Sequence, residues 1–343
     1  MPHGSQSTMS HSAIAHSCVF RIAILSIALL LPLTAIAKRT DNTIHFRSPH
    51  RYMIVVPVRV NGRGPYSFLL DTGATSSAVD PQLSSALHLA GAQGVQLASW
   101  DDTTDARRVL VQSLSLGTIR SGPLRVLVQP LVQFKAFDPQ LRGILGQDVL
   151  LRSNYLIDNR HHLIRFDNDG TLLQELVGDR VSIAPVLTSA GSLEPRLIAV
   201  AVHTVINAQP LHLLLDSGAD MVVLQPLFAP ASAVPLGTKW IADENGNRSA
   251  ATTFHTLMSV GTETFSAEAW IGNTGLKQLA IDGLLPTGSF DQLYIANRDS
   301  FVIFEPGRKR HGHRPVSPST ATSASENGLG CLTKEGSKDP PSC

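Results

Sequence analysis

Short runs of aliphatic and β-branched residues, broken by Gly, Asn and Pro, fill the chain between Tyr52 and Glu305. Residues 55–60 (VVPVRV) and 199–205 (AVAVHTV) are rich in Val, and turn formers follow each run: Asn61-Gly62-Arg63-Gly64 in one case, Asn207-Ala208-Gln209 in the other. Such runs read as strands, because branched side chains suit a pleated surface and Gly or Asn tolerates a tight turn. Phe68-Leu69-Leu70 and Leu213-Leu214-Leu215 are continuous apolar triplets, the pattern of a strand covered on both faces. Asp80 as N-cap and Pro81 at the first helical position introduce a short helix over residues 82–89. Residues 243–247 (DENGN) read as a hairpin tip turning on Asn245-Gly246, and residues 100–106 occupy the comparable place earlier in the chain. The pattern predicts an all-β protein with little helix.

These elements recur. Residues 53–80 lie without a gap on residues 198–225, at a constant offset of 145. Pro65 falls on Pro210, Asp71 on Asp216, Gly73 on Gly218 and Pro81 on Pro226. Farther on, Leu114-Ser115-Leu116-Gly117-Thr118 meets Met258-Ser259-Val260-Gly261-Thr262, and Arg142-Gly143-Ile144-Leu145 meets Asp282-Gly283-Leu284-Leu285. A period this long marks a duplicated domain and not a solenoid unit. Each copy is a small β-barrel in this reading, which divides the core into residues 38–169 and 196–306, joined by a linker over residues 170–195.

Both ends of the chain read differently. The apolar run over residues 22–37 is too short for a spanning helix and ends in Ala35-Ile36-Ala37, a small-x-small site for signal peptidase. Residues 1–37 are therefore expected to be a cleaved leader, with export to the periplasm or the exterior and no stable membrane span afterwards. Residues 307–343 are rich in Ser, Thr, Pro and Gly and read as a disordered tail, whose basic stretch around His311 and His313 is solvated. Of three cysteines, Cys18 precedes the apolar run and Cys331 and Cys343 lie in the tail, so no disulfide holds the core. Across all 343 residues the net charge is +1 and only 16% are charged, which argues against a nucleic-acid partner.

The chemistry sits on the repeated triplets Asp71-Thr72-Gly73 and Asp216-Ser217-Gly218, each directly after a buried apolar run. One such triplet is accounted for by a strand-end turn in which Asp bonds its own backbone. Two in register are not, because desolvating a carboxylate is costly unless it is paired or protonated. Brought together, two carboxylates about 3 Å apart would repel by about 5 kcal/mol at an effective dielectric near 20, so the pair would hold one proton between them. That is a general acid and a general base for activating water against an amide carbonyl. The Thr72 and Ser217 hydroxyls are placed to hydrogen-bond across to the partner loop.

The segment FLLDTGATSSAVD, followed 72 residues after its Asp by GILGQDVLLRSNYLIDNRHHLIRF, resembles the bacterial retropepsin-like aspartyl proteases. LLLDSGADMVVL and DGLLPTGSFDQLYIANRDSFVIF are similar to the same family, and having both on one chain is a pepsin-like layout. The resemblance implies two tandem closed β-barrel lobes related by a pseudo-twofold axis, acting as a monomer on peptide or protein substrates. It implies a catalytic pair, Asp71 and Asp216, on loops completed by Thr72, Gly73, Ser217 and Gly218. Gly143, Ile144, Leu145 and Gly146 would support the first loop, and Gly283, Leu284 and Leu285 the second. A hairpin flap is also implied, for which Trp100 and Trp240 are candidates, although a Trp in a hairpin is as readily a packing residue. The sequence departs from the pattern at Pro286, which stands where the first copy has Gly146, and at Asp282, a third acid. No His, Cys or Ser constellation suggests a metal or another nucleophile, so neither metal nor cofactor is expected. Two other readings remain: a protease-like domain that binds peptides or envelope polymers without cutting them, and an enzyme active only as a homodimer through Asp71 of each chain.

Overall fold

In the computed structural model of the chain, which describes residues 42–91, 93–98, 103–186, 197–204, 210–228, 235–242, 248–272 and 279–308, the valine-rich runs are strands. The first half contains β1 (Thr43–His45), β2 (Val55–Val60), β3 (Arg63–Leu70), β4 (Ala78–Val79), β5 (Gln93–Ala98) and β6 (Thr103–Val111). It continues with β7 (Leu114–Leu116), β8 (Ile119–Arg120), β9 (Leu124–Val128), β10 (Leu141–Leu145), β11 (Asn154–Asp158) and β12 (Leu163–Asp167). The helices are single turns or little more: α1 (Pro81–Ala86), α2 (Val132–Lys135), α3 (Gln147–Leu150) and α4 (Thr171–Glu175). The second half contains β13 (Leu176–Val177), β14 (Arg180–Ala184), β15 (Ala199–Thr204), β16 (Leu211–Asp216), β17 (Val222–Leu224) and β18 (Pro235–Ala242). It ends with β19 (Arg248–Val260), β20 (Glu263–Ile271), β21 (Gly283–Pro286), β22 (Gln292–Ala296), β23 (Phe301–Phe304) and β24 (Gly307–Arg308).

Strand β2 alternates as a half-buried strand must: Val56, Val58 and Val60 point into the core, while Pro57 and Arg59 are exposed. The triplets Phe68-Leu69-Leu70 and Leu213-Leu214-Leu215 are buried throughout, because each is flanked on both edges and covered on both faces. Asp80 caps α1 as its sequence suggests, accepting the Leu83 N–H at 2.6 Å, although the helix stops at Ala86.

The two halves show the same succession of pairings. In the first, the order is β5-β6-β9-β4-β10-β3-β2-β7, and in the second β18-β19-β20-β17-β21-β16-β15. Strands β3 and β10 are parallel, as are β16 and β21. Thirteen-residue β19 closes the second ring by bonding both β20 and β15, giving a closed six-stranded barrel. Its counterpart is interrupted between β6 and β7, where the Asn61 side chain accepts the N–H groups of Gln112 and Ser113 at 2.7 and 3.2 Å.

A third sheet segment joins the halves, in the order β1-β12-β11-β22-β23-β14. Tyr155 lies opposite Ile295 and Ile157 opposite Leu293, so residues of both halves make one ladder. The segment read as a linker supplies α4, β13 and β14, and β14 bonds both β23 and β15. One apolar cluster runs from Val56 and Phe68 through Tyr155 and Ile295 to Leu213 and Phe254. From the tail, Gly307–Arg308 form β24 against β13. The leader, both hairpin tips, Trp100 and the two tail cysteines lie outside the described residues. Among the described residues no helix is long and apolar enough to cross a membrane.

The joining sheet is tied by a buried carboxylate. Asp167 accepts the N–H groups of Leu172 and Leu173 at 3.1 and 3.0 Å and the Tyr294 hydroxyl at 2.7 Å. Burial and that carboxylate push the Tyr294 phenol well up, so it stays a donor at every accessible pH. Tyr294→Phe removes the one donor that comes from the second half and is expected to cost about 1–3 kcal/mol, measured by urea unfolding.

Candidate active site

Asp71 and Asp216 stand at the ends of β3 and β16, 145 residues apart in sequence and side by side in the structure. Parallel pairing fixes each approach: Leu70 lies opposite Leu145, and Leu215 opposite Leu285. The Asp71 N–H continues that ladder to the Leu145 carbonyl at 3.0 Å. Beyond it the chain turns back sharply, and Asp71 Oδ1 accepts the N–H groups of Gly73 at 2.8 Å and Ala74 at 3.0 Å. Asp216 does the same with the N–H groups of Gly218 and Ala219, the former at 2.7 Å.

The loops are fastened to each other by four reciprocal bonds. Thr72 Oγ1 donates to the Leu215 carbonyl at 2.7 Å and accepts the Ser217 N–H at 3.0 Å. Ser217 Oγ donates to the Leu70 carbonyl at 2.8 Å and accepts the Thr72 N–H at 3.0 Å. Both hydroxyls are fully buried, so each bond is shielded from competing water. The glycines are what let the loops come this close. A Cβ on Gly73 would lie 2.6 Å from Asp216 Cγ, and one on Gly218 would lie 2.8 Å from Asp71 Oδ2.

Each carboxyl lies against the glycine of the other loop, close enough for each to act on the ionisation of the other. Asp71 is 9% exposed, and Asp216 keeps somewhat more of its surface open. Burial raises Asp71 above its ordinary value, and bonds from Gly73, Asp216 and Ala74 oppose that rise. Burial raises Asp216 much further, with the charge on Asp71 adding to it. Both carboxyls are thus pushed toward the neutral form, Asp216 the more strongly, and groups so close titrate as a pair that shares its protons. Such a pair can take a proton from one group and give one to another without moving.

Behind Asp71 lies a polar buttress that the sequence reading missed. Gly146 donates to Ser77 Oγ at 3.0 Å, and Asp148 accepts both the Ser77 hydroxyl at 2.6 Å and the Ser77 N–H at 2.9 Å. The Gln147 side chain donates to the Thr72 carbonyl at 2.9 Å. Behind Asp216, Val222 takes the place of Ser77, Pro286 that of Gly146 and Gly288 that of Asp148, with Tyr52 packed over Gly288. Pro286 has no N–H and Val222 no acceptor, so the donor and the acceptor disappear together and neither is left unsatisfied. The apparent defect in the second copy is thus a matched apolar substitution. The signal available in sequence was the polar pair Gln147-Asp148 directly behind a buried Gly-aliphatic element.

The other expected residues are placed as follows. Gly143, Ile144 and Leu145 lie in β10 and Gly146 caps α3, while Gly283, Leu284 and Leu285 lie in β21. Trp240 lies on β18 opposite Ala250. Asp282 is turned away from the pair, accepting the His212 N–H at 2.7 Å. Among the described residues there is no group of three or more His, Cys, Asp or Glu side chains able to hold a metal.

Two outcomes are expected. Thr72→Val deletes two of the four cross-loop bonds and strands the Leu215 carbonyl and Ser217 N–H. It should cost roughly 2–5 kcal/mol in chemical denaturation, with Thr72→Ser largely restoring stability. For the pair, a folded value above the unfolded 3.8 means the folded state holds more protons, so stability falls as pH rises through that interval. Asp216→Asn should therefore melt higher than the parent at neutral pH, and the gain should shrink as pH approaches 3.8, as followed by thermal unfolding across pH.

No curated protein matches the chain. Residues 56–149, which carry Asp71, Thr72, Gly73 and the Gly143–Gly146 element, match the aspartyl protease family model, so this segment is similar in sequence to hydrolases of peptide bonds.

Proposed function

We propose that this protein is a single-chain aspartic endopeptidase in which Asp71 and Asp216 activate water between two equivalent lobes of a duplicated unit. The observation that carries this reading is the seating of each carboxyl against the other loop's glycine on cross-fastened Asp-Thr-Gly and Asp-Ser-Gly loops. The aspartyl protease match over the first loop supports the reaction class. The common strand order and the 145-residue register support the duplication.

In this reading ionised Asp71 takes a proton from water as its oxygen attacks the peptide carbonyl, and Asp216 gives its proton to the carbonyl oxygen. The tetrahedral diol then collapses, a proton passes to the amine nitrogen, and the carbon–nitrogen bond breaks. No covalent intermediate forms, and neither cofactor nor metal takes part. Thr72, Gly73, Ser217 and Gly218 hold the geometry. The β5–β6 and β18–β19 hairpins are the elements from which a flap would be drawn. Contact of Asp71 with Asp216 of its own chain supports a working monomer over the homodimer reading. We also propose that residues 1–37 direct export to the periplasm or beyond.

Asp71→Asn and Asp216→Asn should each lower kcat/KM on a quenched peptide library by at least about 10³-fold while keeping the far-UV spectrum. Either variant retaining parental turnover would overturn the shared pair. For the parent, kcat/KM should rise with pH as Asp71 ionises and fall as Asp216 loses its proton, giving a bell in the acid range. A rate climbing steadily into alkali would overturn the mechanism.

A further inference from the structure

The pair is nearly symmetric in its immediate bonds. Each carboxylate accepts two N–H groups from its own loop, Gly73 and Ala74 on one side, Gly218 and Ala219 on the other. Of the nearby acids among the described residues, Asp148 is turned to Ser77, and Asp220 faces His50 at 3.6 Å. Exposure would favour charge on Asp216, the more open of the two. Something else must break the tie.

The difference lies one peptide away. The Thr72–Gly73 peptide group gives its N–H to Asp71 Oδ1 at 2.8 Å, and its carbonyl accepts from Gln147 Nε2 at 2.9 Å. Gln147 is fully buried, and its own N–H is fixed to the Ala74 carbonyl at 2.8 Å. A donor on the carbonyl both locks the peptide plane and strengthens the N–H at its other end, since bonds in series polarise one another. In the second half the place two residues beyond Leu285 is held by Thr287. Its side chain is shorter, and its buried hydroxyl has no hydrogen-bond partner among the described residues. It makes no such bond.

We propose that Gln147 is a positioning residue that fixes the Thr72–Gly73 peptide and thereby makes Asp71, not Asp216, the member of the pair that carries the negative charge. It acts through the peptide and touches neither carboxyl. This inference deepens the function proposed above and rests on that reading for its catalytic meaning, since the charged member is the one that receives the water proton.

The test is a carboxyl ¹³C titration of aspartate-labelled full chain, with Asp71→Asn and Asp216→Asn used to assign the two signals. In the parent, Asp71 should ionise first. Gln147→Met keeps the volume and removes the donor. It should weaken the Asp71 ionisation constant by about tenfold or more, moving Asp71 toward or past Asp216. Gln147→Leu also removes the donor without adding a charge and should move Asp71 the same way, which covers the case in which the Met variant does not fold. A folded variant in which Asp71 still ionises first at the parental pH would overturn the proposal, as would equal upward shifts of both carboxyls. The titration reads protons and not turnover, so a parent without peptidase activity would overturn the proposed function while the order of ionisation still decides the role of Gln147.

Discussion

Four buried hydrogen bonds between the Thr72 and Ser217 loops hold the two halves in register at one point, and the rest of the site follows from that point. Each hydroxyl both donates and accepts, so both loops lose their remaining polar valences to each other instead of to water. With those peptides fixed, the carboxyls one residue earlier have nowhere to go but toward one another. The pair's shared proton is then a consequence of backbone geometry, because like charges at that separation cannot both persist in a buried site.

The two halves reach the same geometry by different chemistry. Ser77, Gly146, Gln147 and Asp148 form a hydrogen-bonded support behind Asp71. Val222, Pro286 and Tyr52 over Gly288 form an apolar one behind Asp216. A buried donor is costly without its acceptor, and the second half lacks the central donor and acceptor together, with Pro286 and Val222 in their places. What differs is the environment of each carboxyl, and asymmetry is what an acid and a base side by side require.

Much of this was legible in sequence where the signal is local. Valine-rich runs, the Asp80 cap and the Asn61 turn each state their conformation within a few residues, and the register of 145 brought Asp71 and Asp216 together before any coordinates did. The sheet that joins the halves was not legible, because strands β11 and β22 meet across a sequence gap that leaves no local mark. The segment behind residue 170 read as a linker for the same reason, since β13 pairs with β24 and β14 with β23, each more than a hundred residues distant. Pro286 departs from the first half's pattern with no local sign of its compensation, because Val222 lies 64 residues away in sequence, on the strand β17 that pairs with its own strand β21. The match of family and chain ends at residue 149, before any of the second loop.

The joining sheet also orders events in time. The first sheet has all its strands once β10 has formed, since they all precede residue 146. Asp71 at that stage faces no partner. Its loop gains the Ser217 and Leu215 contacts only when β16 has been made, and the Tyr155–Ile295 ladder waits for residues near the end of the core. Contacts of such separation in sequence form late and slowly. A chain that stops before β16 therefore carries Asp71 without Asp216, so the pair is assembled only once strands from both sides of the joining sheet have been made.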